Sequence, residues 1–529
     1  MNQRTGGHLS YQRQLARGLS VGLLLAFLSV AALAHAKLER SEPKNNSTLQ
    51  QAPKLVELWF SEELESGFNS IEVKDQQGKR FDQGGVTLSE GNKKAQIALA
   101  PLGAGIYVIV WKALSLDQHT LRGEFTFTLA RGAEPGAATA SPSQGPGSAA
   151  MDSMPMGKSE QDYEIYPSQS AVRWLSYLSM MMLFGGFALY LLVLAAALSQ
   201  ESLQEPAKVA QVRNATACRI VKWSWISVLL LLLTSSVSLV FQVSGVFDKS
   251  FVESFSPSLL GEVIFNTGYG GHWFLEILSI ALLIVILAIL TRQLKGAPDQ
   301  AHRVLWWVGL FAGAVLLLAP SWTGHALASV RDFRLAVVTD WLHLLAGGFW
   351  FGGLFHLAIT LPLLVVSVDK RHRIGLLAQV IMRFTRVAMP SVGLLVLAGL
   401  YNTWVHVPSL SGLWMTPYGK TLLLKLFFVG LMLLLGGLNN FHFGKRVARL
   451  AQMQGKADND VERLKLERGF ARSVVSEAAI GVIVLLVTSA LVFMTPARSH
   501  PAMSPDEHPV RSSAGSGQVS HRWSKTTIN

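Results

Sequence analysis

The stretch VRWLSYLSMMMLFGGFALYLLVLAAAL, residues 172–198, decides the fold of this chain. An α-helix needs about 20 mainly apolar residues to cross the hydrocarbon core of a bilayer, and this stretch is long enough. Seven further apolar runs follow it, near residues 221–244, 273–291, 304–322, 336–365, 387–405, 420–440 and 474–494. The sequence therefore predicts an all-α polytopic membrane bundle of about eight transmembrane helices over residues 171–495.

The composition agrees with a membrane protein, because 50% of the 529 residues are hydrophobic and only 15% are charged. The formal charge of +12 is distributed unevenly. Basic residues concentrate in four loops between the apolar runs: 199–220, 292–303, 370–386 and 441–472. Loop 245–271 is acidic instead, with Asp248, Glu253 and Glu262. Basic loops stay in the cytoplasm, so both chain ends are predicted to be extracytoplasmic. The distribution of charge therefore indicates membrane topology. The lipid bilayer is an expected partner, and nucleic acid is not.

The first residues resemble an export signal. Arg4, Arg13 and Arg17 precede an apolar run that ends in Ala32-Leu33-Ala34, a small-x-small cleavage pattern. This predicts a signal peptide over residues 1–34 and a mature chain that begins with His35. Ala34-His35-Ala36 fits the same rule, and cleavage there would leave Lys37 first. Both cleavage positions remain open.

Residues 35–130 have the pattern of a β-domain. Segments 54–60, 70–73, 105–111 and 124–129 are short and rich in β-branched and aromatic residues. Glycines at Gly78, Gly84, Gly85 and Gly91 punctuate them. Several short strands within about a hundred residues are typical of an all-β sandwich or barrel.

Two segments lack the residues needed to bury a core. Residues 131–170 are rich in Gly, Ala, Ser and Pro, which predicts a flexible linker. Met151, Met154 and Met156 lie within it, and thioethers are soft ligands that suit Cu(I). Residues 496–529 are predicted to be a disordered tail that contains histidines. The chain has one cysteine, Cys218, so an internal disulfide is excluded.

Three residues of the β-domain suggest a copper site. If cleavage follows Ala34, the free amine and imidazole of His35 form a chelate for Cu(II). Asp117 and His119 would complete a roughly square-planar set of nitrogen and oxygen ligands, the geometry that Cu(II) prefers. On the Asp117-Gln118-His119 triplet alone, two polar residues in a turn before the last strand remain an equally simple interpretation.

Four segments of this domain resemble the CopC family of exported copper-binding domains: 35–43, 58–62, 111–119 and 123–127. The resemblance implies a Greek-key β-sandwich that binds Cu(II) through His35, Asp117 and His119. It also implies that Glu62 lies beside these ligands and supports them. Some family members carry a Met-rich Cu(I) loop in mid-domain, whereas residues 74–81 contain no methionine.

The membrane region contains ionisable residues, which are costly there and usually functional. The topology places four histidines near the outer face: His272, His325, His343 and His406. His356 lies thirteen residues after His343, roughly 20 Å deeper at a rise of 1.5 Å per residue. Glu477 and His442 belong near the inner face. These residues suggest a route for Cu(I) or Cu(II), although single histidines at a membrane interface are also common without any function.

Five segments of the membrane region resemble the CopD family of copper-related membrane proteins: 321–326, 340–353, 418–425, 439–440 and 472–477. One position departs from the pattern, because Glu276 stands where a basic residue is expected. The two resemblances together identify a fused CopC–CopD copper resistance or copper transport protein. That architecture implies copper uptake.

The leading hypothesis is a copper importer of the bacterial cytoplasmic (inner) membrane, linked to copper homeostasis and resistance. It is not expected to be an enzyme, and periplasmic and cytoplasmic copper carriers are its expected partners. No Walker-type motif is present, which argues against ATP as the energy source. One alternative is an extracytoplasmic copper-sequestering resistance protein with a helical anchor. Another is a haem or copper redox membrane protein, in which His343 and His406 would hold a haem.

Overall fold

The computed structural model describes residues 38–116, 120–130, 167–198, 206–296, 303–322, 333–407, 409–452 and 460–494. The predicted signal peptide, most of the predicted linker and the predicted tail fall outside these ranges. The predicted ligands His35, Asp117 and His119 also fall outside them. The described residues form a β-domain followed by helices, which confirms the predicted fold class.

Eight strands form two four-stranded sheets within residues 38–116 and 120–130. One sheet has the order β1-β3-β6-β5 and the other β2-β8-β7-β4. The β2–β8 pair is parallel, while the other pairs are antiparallel. The strands are β1 Leu38–Glu42, β2 Ser47–Leu49, β3 Leu55–Phe60, β4 Ser70–Asp75, β5 Asp82–Ser89, β6 Lys94–Leu99, β7 Gly105–Leu114 and β8 Thr120–Leu129.

The core of the sandwich follows from alternation along its strands. In β7 the side chains of Tyr107, Ile109 and Trp111 are buried, and the residues between them are more exposed. Alternate residues of a strand share one face, so this pattern directs one face of the sheet into the core. Phe127 of β8 stacks on Tyr107 with ring centroids 5.3 Å apart. These aromatic contacts fill the space between the two sheets.

Eight helices of the described residues are long and apolar enough to cross a membrane, as predicted. We name them span 1 to span 8 in chain order. Their bounds are Pro167–Ala197, Ala207–Phe247, Gly268–Gly296, Arg303–Trp322, Leu335–Ser367, His372–Trp404, Pro417–Ala451 and Val461–Leu491.

Several helices extend beyond the apolar runs. Span 1 begins at Pro167, inside the predicted linker, since proline suits the first turn of a helix. Spans 2, 6, 7 and 8 continue into the basic segments that were predicted as loops, because hydropathy detects only the apolar part of a helix. Three shorter helices connect the spans in the described chain: Glu253–Phe255, Pro257–Asn266 and Leu410–Met415.

Spans 1, 5 and 7 each contain a π-helical segment, at Tyr190–Leu194, Gly348–Gly352 and Asn439–Gly444. Spans 4 and 5 are the shorter-helix pairs Arg303–Leu316 with Leu318–Trp322 and Phe333–Gly347 with Gly353–Ser367. A π-segment widens one turn and frequently occurs at functional sites. The π-segments of spans 5 and 7 contact the buried Glu477, through Trp350 and Asn439.

Span 1 is the central helix of the bundle. Of its most apolar 18-residue window, 83% is buried, whereas the corresponding value for span 7 is 11%. Span 1 crosses span 5 at two glycines: a Cβ on Gly185 would lie 2.2 Å from the backbone of Gly352. Tyr190 stacks on Trp306 of span 4 with ring centroids 3.8 Å apart. The other spans are therefore arranged around span 1.

Candidate functional site

The predicted copper ligands Asp117 and His119 belong to the connection between β7 and β8. This connection begins at Ser115 and ends before Thr120, which pairs with Leu114. Glu62 is 4% exposed, and its Oε2 lies 3.4 Å from Ser115 Oγ. Glu62 therefore lies at the start of the connection, where a partner of the ligands would be needed. Its supporting role, like the ligand set, stays a prediction.

The same end of the sandwich contacts the bundle beside span 2. Asp248 follows the last residue of span 2 and accepts hydrogen bonds from Lys112 Nζ, at 2.5 Å, and from Arg122. Lys112 also donates to the carbonyl of Val246 at 2.9 Å. Burial raises the pKa of Asp248, but the hydrogen bonds from the two cations outweigh it, and the pKa is lowered. Asp248 thus contributes to docking as a carboxylate.

A second docking contact involves the start of span 3. The Gly268 N–H donates to Glu65 Oε1 at 2.7 Å, so Glu65 caps this helix. Burial raises the pKa of Glu65, and the Gly268 hydrogen bond opposes it only in part. Phe68 meets Phe247 edge to face with ring centroids 6.1 Å apart. We call the end of the bundle that carries these contacts the proximal end.

Span 3 carries two buried ionisable residues close to the proximal end. His272 is 9% exposed and Glu276 is 8% exposed. Residues four apart share one face of a helix. His272 Nδ1 and Glu276 Oε1 find no hydrogen-bond partner among the described residues. Arg173 of span 1 is close enough to interact electrostatically with both side chains.

A second polar cluster joins spans 4 to 7. Asp340 of span 5 accepts a hydrogen bond from Ser321 Oγ at 2.8 Å, and Asn402 of span 6 also bonds to it. Lys425 of span 7 interacts electrostatically with Asp340 and with His343. Residues 321–326, 340–353 and 418–425 were predicted as separate motifs. The structure brings Ser321, Asp340, His343 and Lys425 from them together.

His356 and Glu477 lie deeper in the bundle. His356 is fully buried, and its Nε2 lies 2.9 Å from the carbonyl oxygen of Met182 in span 1. Glu477 is 2% exposed, and its Oε2 accepts a hydrogen bond from Asn439 Nδ2 at 2.8 Å. Trp350 of span 5 also bonds to the Glu477 carboxylate. Glu477 thus connects span 8 to spans 5 and 7.

The predicted outer histidines do not form one metal site in the described part of the chain. Within the described ranges, no three His, Cys, Asp or Glu residues are arranged to hold a metal ion. His272 and His343 belong to the two separate polar clusters. His325, Met151, Met154 and Met156 lie outside the described residues, as does the side chain of His406.

Asn402 was missed as a member of the second cluster. The signal was available, because an amide stands in an otherwise apolar run at residues 387–405. Glu276 was noted only as a departure from a family pattern, and its burial next to His272 was not foreseen. A lone carboxylate within a membrane span is itself a reason to expect a function.

Three family profiles match different parts of the chain. The CopC domain matches residues 38–130. The copper resistance protein D-like N-terminal domain matches residues 166–333, and copper resistance protein D matches residues 378–491. The chain is thus a β-sandwich fused to a polytopic helical bundle, and it belongs to the fused CopC–CopD family of copper transport and resistance proteins.

Individual relatives agree with this assignment. Copper transport protein CutJ of Bacillus subtilis (strain 168) is 27% identical over 486 residues, which covers 91% of this chain and 78% of CutJ. Copper resistance protein D of Pseudomonas syringae pv. tomato is 28% identical over 278 residues, or 52% of this chain and 82% of that protein. Copper resistance protein C of the same organism is 32% identical over 122 residues, or 21% of this chain and 96% of that protein.

Proposed function

We propose that this protein carries copper through its helical bundle, and that the direction is inward from the sandwich. The observation that supports transport is the set of ionisable side chains inside the bundle. Asp340, His343 and Lys425 converge from different spans, and Glu477 is buried further along. Charges inside a membrane are costly, and a helical anchor needs none of them. A bundle that only held the sandwich at a membrane would not keep these residues.

Capture of the ion is assigned to the sandwich. His35, Asp117 and His119 would bind Cu(II) as nitrogen and oxygen ligands, with Glu62 beside them. Met151, Met154 and Met156 of the linker offer thioethers, which suit Cu(I). The docked position of the sandwich supports this assignment, because its β7–β8 end faces the proximal end of the bundle.

The membrane setting follows from the basic loops. The basic segments 199–220, 292–303, 370–386 and 441–472 carry the excess of Lys and Arg, which favours the cytoplasmic side of the inner membrane. The sandwich and the tail would then be extracytoplasmic. Copper carriers on the two sides would supply the ion and accept it.

The experiment that tests this function is copper accumulation in cells with and without the protein. Radiocopper inside washed cells is counted at limiting external copper. Import predicts more intracellular copper when the protein is present, and a chain that lacks residues 167–494 serves as a capture-only control. Equal or lower accumulation than in cells without the protein would reject import and favour sequestration or efflux.

A further inference from the structure

We propose that His272 and Glu276 form a copper-receiving site on span 3, directly beneath the docked sandwich. The ligand would be Cu(II), which is held by one imidazole and one carboxylate. This inference rests on the proposed function, because it names the first site that copper meets inside the bundle.

The geometry of span 3 supports the pair. His272 and Glu276 are one helical turn apart, so their side chains share a face, with Cβ atoms roughly 5–6 Å apart. Both side chains are more than nine-tenths buried. In the described part of the chain, His272 Nδ1 and Glu276 Oε1 have no hydrogen-bond partner. Leaving such a buried polar atom unpaired is costly, so a bound ligand would account for both atoms.

The docking contacts bring the residues that flank the predicted copper ligands of the sandwich close to this pair. Glu65 is the decisive residue: its N–H donates to the carbonyl of Leu114 at 2.7 Å, and its carboxylate caps Gly268 at 2.7 Å. Leu114 ends β7 just before the connection that carries Asp117 and His119, and Gly268 lies one turn before His272. A single residue therefore joins the connection to the start of span 3.

The far end of the same connection also meets the bundle. Thr120, which directly follows His119, has its Oγ1 3.9 Å from the position that a Cβ would take on Gly245. Arg122 donates to the carbonyl of Gly245 at 3.1 Å and bonds to Asp248. The described residues that flank the connection on both sides therefore contact the ends of spans 2 and 3.

The ligand chemistry favours a transient site. Imidazole suits Cu(II) and neutral imidazole is its ligand form, while a carboxylate adds an oxygen ligand and a negative charge. Two protein ligands with water completing the coordination bind less firmly than a closed cage. Conduction requires binding that is strong enough for entry and weak enough for release. The absence of a third His, Cys, Asp or Glu ligand within the described ranges fits this requirement.

Arg173 is the charge that copper has to displace. It interacts electrostatically with Glu276 and His272, and its guanidinium lies 5.7 Å from the ring centroid of Phe493 in a cation–π contact. Ser235 of span 2 also faces the Glu276 carboxylate. Without copper, Arg173 interacts with both Glu276 and the Phe493 ring. When Cu(II) binds Glu276, Arg173 would keep its contact with the Phe493 ring.

The test is Cu(II) binding to the purified full chain in lipid nanodiscs, followed by electron paramagnetic resonance during a copper titration. The variants are His272→Gln and Glu276→Gln, which keep side-chain size and polarity. His372→Gln and Glu262→Gln serve as matched controls, since neither side chain is fully buried and both residues lie outside the pair. Monodisperse elution in size-exclusion chromatography confirms that each variant is folded.

The expected result is that His272→Gln and Glu276→Gln each lose the same copper signal, or weaken its Kd by roughly tenfold or more, while the controls keep it. If both variants bind copper like the wild type, or if only one of them loses the signal, the pair is not a site. The measurement involves no transport. A retained signal without copper accumulation in cells would reject import and leave the site standing, whereas accumulation without the signal would reject the site alone.

Discussion

At the scale of the residue, the interior of the bundle contains ionisable side chains whose charged forms are costly to bury in an apolar environment. Asp340 and Lys425 face each other from spans 5 and 7, with hydrogen bonds from Ser321 and Asn402 to the carboxylate. Replacing buried charged groups that interact with each other by apolar residues is often neutral or stabilising. Stability therefore does not explain why these two residues are present, whereas the proposed role in ion passage would.

Substitution of His343 distinguishes transport through the bundle from capture by the sandwich. His343→Gln should lower copper accumulation by roughly tenfold, because it removes an imidazole next to Lys425 and Asp340. External Cu(II) binding should persist, since the predicted ligands His35, Asp117 and His119 are unchanged. Radiocopper uptake and Cu(II) titration of the same variant measure the two effects. Unchanged uptake would remove His343 from the route.

Glu477 provides a second position at which charge can be removed with little change in shape. Glu477→Gln keeps an oxygen that accepts the Asn439 hydrogen bond, so the free energy of unfolding should change by less than about 1 kcal/mol. Copper uptake should nonetheless fall, because a cation on the route loses its counter-charge. Uptake and melting temperature are measured on one preparation. A variant with full uptake would limit Glu477 to a structural role.

At the scale of the element, the contact between spans 1 and 5 depends on two glycines. Gly185 and Gly352 bring the helix backbones so close that neither position has room for a Cβ. Small residues at such crossings allow the van der Waals packing that drives helix association in lipid. The π-helical turn Gly348–Gly352 ends at this crossing and turns Trp350 toward Glu477.

Gly185→Ala should destabilise the bundle by about 1–3 kcal/mol, because the added methyl group would have to push the two helices apart. Gly393→Ala in span 6 is the control, since a Cβ there meets no described atom within 4 Å. The melting temperature of the detergent-solubilised protein distinguishes the two. Equal melting temperatures would mean that the crossing is looser than the structure has it.

At the scale of the whole molecule, a few polar contacts hold the sandwich to the bundle. Asp248 accepts hydrogen bonds from both Lys112 and Arg122, and its side chain is 49% exposed. Exposed ion pairs contribute little individually. A single substitution at Asp248 should therefore weaken the docking without abolishing it, because the contacts of Glu65 and Phe68 remain.

Asp248→Asn should lower the docking equilibrium constant by about three- to thirtyfold, because two ion pairs of at most about 1 kcal/mol each are lost. Energy transfer between dyes on Gln76→Cys and Ser258→Cys, in a Cys218→Ser background, reports docking. Glu253→Gln is the control, since Glu253 bonds to Ser250 in the same loop. If Asp248→Asn leaves the transfer unchanged, the ion pairs do not hold the interface.

The docked fraction should also depend on pH, with opposite contributions from two carboxyls. The pKa of Asp248 is below its ordinary value of 3.8, so its contribution is present above that value and is lost as the pH falls through the lowered pKa. The pKa of Glu65 is above 4.5, so burial of its carboxyl becomes easier as the pH falls toward that value. Energy transfer should therefore be highest in mildly acidic solution. In Glu65→Gln the rise on mild acidification should disappear, and its persistence would contradict the assignment.

Much of the architecture is a local property of the chain. The eight spans follow from apolar length, and the strands of the sandwich follow from alternation such as that of Tyr107, Ile109 and Trp111. Both patterns can be read from short windows of sequence, because a membrane span needs a continuous apolar run and a half-buried strand alternates apolar with polar residues. The limits of spans 2, 6, 7 and 8 were not predictable in this way, since these helices continue into polar sequence beyond the apolar run that hydropathy detects.

By itself, the sequence determined the fold class, the number of spans, the fusion of the two domains and most of the ionisable residues of interest. Only the tertiary structure decided which of them meet. Asp340 finds Ser321, Asn402 and Lys425 from three other spans, and Glu65 joins β7 to span 3. The physical reason is that apolar periodicity constrains each helix separately. Contacts between distant residues depend on how helix faces rotate and pack, which no local pattern specifies.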